Sequence, residues 1–175
     1  MRAEAAAGYW ATRRDFAYYR EVVHLARGHA PAGGAVLDVG ANETEVLERL
    51  DWFGRRVAVD VREIPSRPGV EAIVADFEEF EPDAPFDLVL CLQVLEHIPD
   101  PAPFARRLLD CARIAIVSVP YRWPGWVTDE HLHDPVDAAK LRRWTARDPI
   151  AAKVVEDLGM ERLISVYGES ATRST

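Results

Sequence analysis

Cysteine is scarce: the 175 residues hold two, Cys91 and Cys111, each inside an apolar run. That context argues against a secreted disulfide framework and for buried free thiols in a reducing compartment. No run approaches the roughly 20 apolar residues of a membrane helix, and the amino terminus lacks a basic segment followed by an apolar core. A soluble, cytoplasmic protein is the expectation. Positive charge is outweighed, with 21 Lys and Arg against 29 Asp and Glu and a net charge of -8. The averaged field repels phosphate backbones and anionic lipid surfaces, which disfavours nucleic acid and membranes as partners. Internal repeats, low-complexity tracts and breaks in composition are also missing, so one domain over residues 1–175 is expected.

What is present is a strand, a turn and a second strand, each strand closed by an acid. The apolar run Ala35 to Val39 is continuous rather than alternating, as in a strand covered on both faces of a parallel sheet. Asp38 lies within it, and a carboxylate there is costly unless a ligand or backbone donors satisfy it. Gly40 permits a tight turn and close approach to a ligand, and Asn42 tolerates a left-handed backbone almost as glycine does. Asn42 with Glu45 has the form of a capping box, and Val46, Leu47 and Leu50 form an apolar face, so a helix is expected to begin near Asn42. Arg55 to Asp60 is a second strand. Asp60 falls about 20 residues after Gly40, where a carboxylate can accept ribose hydroxyls. The G-x-G-x-x-G pattern that brings a pyrophosphate onto a helix amino terminus is missing, and Asp38 would repel a pyrophosphate. A nucleoside-bearing ligand across adjacent strand tips remains.

The rest of the chain continues the alternation. Phe16, Tyr19, Val22, Val23 and Ala26 recur at helical spacing between Thr12 and Arg27, with Gly28 as a stop. Strands are expected at Val70–Val74, Phe86–Leu92 and Arg113–Val119, with a helix from Pro101 or Pro103 to Leu109. Residues 120–134 turn aromatic and polar, carrying Tyr121, Trp123, Trp126, Asp129, Glu130, His131 and His133, which makes a candidate active-site lid. Two short helices, Pro135–Trp144 and Pro149–Leu158, and a last strand Arg162–Tyr167 complete the reading, with a frayed tail beyond Gly168. The expected fold class is α/β: a doubly wound, mostly parallel sheet of five or six strands with helices on both faces. Residues 1–33 form an amino-terminal helix, 34–119 a cofactor-binding core, and 120–175 the lid loop, helices and last strand.

Four segments in order, V-L-D-V-G-A-N-E-T, V-A-V-D, V-A-D-F and F-D-L-V-L-C-L-Q-V-L-E-H-I-P-D-P, resemble the class I (Rossmann-like) S-adenosylmethionine-dependent methyltransferases. The last segment is closest to their small-molecule branch. The resemblance implies that Asp38 and Gly40, with Asn42, lie against the methionine part of the cofactor. It places the ribose hydroxyls on Asp60, with Val61 beside it, the adenine amino group at Asp76 and the adenine ring near Phe77. Cys91, Leu92 and Gln93 would line the sulfonium and carboxypropyl region, and Glu96 and His97 would begin the acceptor side. The implied function is methyl transfer from S-adenosylmethionine to an oxygen or nitrogen of a small molecule. The alternative is a non-catalytic or regulatory domain of the same fold that still binds the cofactor.

Two departures from the family pattern motivate that alternative. Asn42 and Thr44 stand where the family often has its second and third glycines, and only one clear strand follows the fifth. The closing antiparallel strand is then missing or supplied by a second copy, a possible homodimer. Nucleic-acid amino-methyltransferases of this fold carry Asn- or Asp-Pro-Pro-aromatic after strand four, where this chain reads C-L-Q-V-L-E-H. His131, His133 and His97 are the candidate catalytic groups, as bases for a hydroxyl acceptor. His131 and His133 straddle one residue, so an extended segment would point both rings the same way. No resident metal is expected.

Overall fold

The computed structural model describes residues 10–168. The elements run α1 (Ala17–His29), β1 (Ala35–Val39), β2 (Arg55–Asp60), β3 (Glu71–Val74), β4 (Phe86–Leu92), α2 (Pro101–Asp110), β5 (Ala112–Pro120), α3 (Ala138–Thr145), β6 (Ala151–Asp157) and β7 (Met160–Gly168). Seven strands form one sheet in the order β3-β2-β1-β4-β5-β7-β6. The first five pair in parallel, while β7 runs antiparallel to both β5 and β6. Strand order reverses between β1 and β4, and the cleft at their carboxyl ends is the topological switch point of an open α/β sheet.

Both faces of the sheet are covered, as the continuous apolar runs of β1 and β4 require. On one face Val36, Ala58, Leu88, Leu90, Ile116 and Ile164 pack beneath Tyr19, Val22 and Ala26 of α1. On the other, Leu37, Val57, Val89 and Val117 pack against Phe104, Leu108 and Leu109 of α2 and Leu141 and Trp144 of α3. Alternate residues of one strand thus feed two cores, and the sheet itself can offer side chains to the cleft only at its strand tips.

Two expected elements take another form. After Gly40 the chain makes a 3-10 turn, Val46–Arg49, with no side-chain cap at its start, instead of an α-helix from Asn42. The carbonyls of Glu43 and Thr44, which would accept the first intrahelical bonds, are both taken by the Arg67 guanidinium. The Asn42 N–H is also diverted, donating to Asp60 Oδ2 at 2.8 Å. The second correction lies at the carboxyl end, where the expected helix Pro149–Leu158 is strand β6. Leu158 and Gly159 both have positive φ, 56° and 75°, and form the two-residue turn of a β-hairpin. Helix-compatible Ala, Lys and Glu residues are overridden by seven paired positions with β7.

The hairpin closes the sheet, so the closing strand is neither missing nor supplied by a second chain. It also fixes α1, because Asp157 at the end of β6 accepts the first backbone N–H groups of that helix, Ala17 at 2.8 Å and Tyr18 at 3.0 Å. The helix over Pro135–Trp144 is present as α3, capped by Asp137, whose Oδ1 accepts the Lys140 N–H at 2.7 Å. The tail beyond Gly168 lies outside the described residues.

Candidate active site

A cleft of about 770 Å³ opens at the carboxyl ends of β1, β2 and β4 and is roofed by α1 and the loop after β5. Gly40, Asn42, Asp60, Val61, Asp76, Phe77, Gln93, His97 and His131 line it. Asp38, Cys91, Leu92 and His133 are not among its lining residues.

The acid pair is arranged in depth. Asp38 is 2% exposed beneath the cleft floor, where burial, with Asp60 adding to it, pushes its carboxyl up to about 8 against the pull of Arg67. Asp60 stands in the cleft with Oδ2 on the Asn42 N–H and Oδ1 on the Arg62 N–H, at 2.8 and 2.9 Å. One backbone donor per oxygen fixes the carboxylate plane and leaves a lone pair on each oxygen for a diol. Gly40 and Asn42 shape the turn between the acids, with φ of 72° and 48°. A Cβ at Gly40 would come within 2.4 Å of Val94 Cγ2. Asn42 thereby does the conformational work of a second glycine, and Thr44 closes the turn by donating its hydroxyl to the Ala41 carbonyl at 3.0 Å.

At the far wall Asp76 Oδ1 accepts the Glu78 N–H at 2.9 Å. Phe77 is buried against Phe104, ring centroids 5.1 Å apart. Cys91 is wholly buried in the sheet core, where burial pushes its thiol up. Leu92 packs toward the α1 side of the sheet. Gln93 is held at the strand tip with φ 59°, its amide donating to Ser118 Oγ at 3.3 Å.

The other end of the cleft collects the chemistry of the turn after β4 and the loop after β5. Glu96 has 0% exposure, and burial, with Asp134 adding to it, pushes its carboxyl up to about 8 while its own backbone N–H and Arg162 oppose. No neighbouring residue donates a hydrogen bond to either carboxylate oxygen. The His97 and His131 rings meet edge to face at 4.8 Å, and His131 stacks on Trp123 at 5.7 Å. His97 Nδ1 lies 2.9 Å from the Glu130 carbonyl and His131 Nδ1 2.6 Å from Asp134 Oδ2. His133 turns away: its Nε2 donates to the Ile98 carbonyl at 2.8 Å and its ring meets Trp144. The segment is not extended at Leu132, whose N–H is tied to the Glu96 carbonyl at 2.9 Å, so the two imidazoles separate.

One cleft residue carries no signal in the local sequence. Arg162, from β7, enters beneath Phe16, Tyr18 and Trp123, its guanidinium carbon 5.3–5.5 Å from each ring. Phe16, Tyr18 and Tyr19 line the cleft and also anchor α1, with the Tyr18 hydroxyl 2.5 Å from Ser118 Oγ. Trp10 is buried against Tyr19.

A cleft at the switch point, a positive-φ glycine turn and a ribose-type acid on the next strand define a nucleoside-cofactor domain. The family comparison is specific: the methyltransferase-domain model matches residues 9–154. The chain belongs to that family, among the class I S-adenosylmethionine-dependent methyltransferases. A ubiquinone biosynthesis O-methyltransferase of Bordetella parapertussis is 34% identical over 100 residues, 57% of this chain and 35% of that protein. One of Pseudomonas aeruginosa is 34% identical over 83 residues, 47% and 32% of the two chains. This chain thus spans about a third of the curated relatives it matches. Among solved structures, the Burkholderia thailandensis 1,6-didemethyltoxoflavin-N1-methyltransferase, with S-adenosylhomocysteine bound, superposes with TM-score 0.73 and 20% identity over 94% of this chain and 83% of that one. The N-methyltransferase NodS of Bradyrhizobium japonicum gives 0.65 and 14% over 87% of each. Both share the fold.

Proposed function

We propose that this chain transfers the methyl group of S-adenosylmethionine to an oxygen or nitrogen of a small molecule. The observation that carries the reading is Asp60, fixed by two backbone N–H donors at the tip of β2 with a lone pair free on each oxygen. Asp38 and Gly40 would bound the methionine end and Asp76 the adenine edge, with Phe77 beneath it. Val61 and Gln93 complete the cofactor wall, whereas Cys91 and Leu92 would contribute through backbone alone. The sulfonium is already activated, so rate enhancement rests on holding the acceptor in line with the methyl in a site closed by α1 and the loop after β5.

The acceptor then lies beside His97 and His131. In each ring Nδ1 faces an acceptor oxygen and carries the proton, so Nε2 keeps its lone pair. His133 has no such access. The names of the relatives, an O-methyltransferase and N-methyltransferases acting on small molecules, support oxygen or nitrogen as the target. The net charge of -8 supports a small acceptor over nucleic acid or an anionic membrane. Among the described residues no helix is long and apolar enough to cross a membrane. The free thiols of Cys91 and Cys111 support a cytoplasmic setting.

Calorimetry with S-adenosylmethionine and S-adenosylhomocysteine tests the cofactor assignment. Asp60→Ala removes charge-assisted hydrogen bonds of about 1.5–3 kcal/mol and is expected to weaken both ligands about 10- to 150-fold. Unchanged binding would remove the ribose assignment, and no binding by the parent would remove the function.

A further inference from the structure

Glu96, His97 and His131 each offer one ligand atom, and the three atoms lie within 4.8 Å of one another at the acceptor end of the cleft. Hydrogen bonding has sorted these groups. Each imidazole spends Nδ1–H on an oxygen acceptor and keeps Nε2 for a Lewis acid, and the acceptor at His131 is the fully buried carboxylate of Asp134. A carboxylate behind a histidine is the usual second support of a metal ligand, fixing its ring and tautomer. Glu96 supplies the independent sign: a side chain with 0% exposure and both oxygens unpartnered, a costly arrangement in a protein that satisfies nearly all buried polar atoms. Asp134 Oδ1 is orphaned in the same place.

We propose that Glu96, His97 and His131 bind one divalent transition-metal ion at the acceptor end of the cleft. Two imidazoles and one carboxylate suit zinc, cobalt, manganese or ferrous iron rather than magnesium or calcium, which take oxygen ligands. The catalytic consequence rests on the proposed function: a hydroxyl acceptor on the ion loses its proton to solvent more readily, so neither imidazole has to accept it.

Untagged, chelator-treated protein titrated with Co²⁺, followed by calorimetry and visible absorption, is expected to take one equivalent and develop ligand-field bands. Glu96→Gln and His131→Gln should each weaken Co²⁺ at least about tenfold, and Asp134→Asn about 10- to 100-fold. Far-ultraviolet circular dichroism and retained S-adenosylhomocysteine binding certify the fold of each variant. A parent chain that binds S-adenosylhomocysteine but no Co²⁺, or well-folded Glu96→Gln and His131→Gln proteins that bind it as the parent does, overturns the site and leaves the function intact. Co²⁺ uptake without cofactor binding removes the function and leaves the site. Displacement of Co²⁺ by an equal concentration of Mg²⁺ overturns the class of metal.

Discussion

Gly40 is a cleft residue whose replacement the geometry resists directly. Its φ of 72° strains any side chain, and an added Cβ would meet Val94 Cγ2 at 2.4 Å. Gly40→Ala is expected to lower unfolding stability by about 1–3 kcal/mol in urea denaturation. Adding Val94→Ala should recover only the steric part, since the backbone strain persists; full recovery would mean that φ contributes nothing. Asn42 was readable as a near-glycine because asparagine enters the left-handed region easily. Gln93 was not, because nothing about a glutamine announces φ 59°. Its conformation follows from leaving β4 while its backbone N–H donates to the Ser118 carbonyl of the neighbouring strand, at 3.1 Å.

Elements depend on one another through a few charged contacts. Helix α1 has no cap of its own at Phe16 and takes Asp157 from the far end of the chain instead. Asp157→Ala should cost about 0.5–2 kcal/mol, in the range of a lost helix cap. Hydrogen exchange should rise in the first turn of α1 before it rises in β1. Equal loosening of both would mean that Asp157 holds the sheet rather than the helix. The strands were legible because their apolar runs are continuous, and β4 falls at Phe86–Leu92 as the pattern indicated. Strand β6 was not, because an edge strand buries little: only Val155 is buried, and the exposed positions read as an amphipathic helix.

For the whole molecule, the buried acid under the cleft makes stability depend on pH. Asp38 has a folded value of about 8 against 3.8 for the free side chain. Below about pH 4 it is protonated in both states and carries no penalty. Between about 4 and 8 the folded chain keeps a proton that the unfolded chain releases, so this group lowers unfolding stability as pH rises. In the ligand-free protein, Asp38→Asn should therefore gain in melting temperature relative to the parent between pH 5 and pH 8. A constant difference across that window would show that Asp38 is already ionised in the fold.

The amino-acid sequence by itself determined the strand tips and the glycine turn that bound one side of the cleft. Asp38, Gly40 and Asp60 belong to strand tips and one turn, where hydrophobic periodicity fixes register and a few residues of local chain fix geometry. Tertiary structure decided the other side. Glu96, His97, His131, Trp123 and Arg162 come from the turn after β4, the loop after β5 and strand β7, and no local pattern records that they converge. His131 and His133 look equivalent in sequence, and only the bonds to Asp134 and Ile98 send one toward the cleft and the other away. Strand positions follow from short-range rules, whereas the site between loops depends on how the closing hairpin and the buried Glu96 hold those loops together.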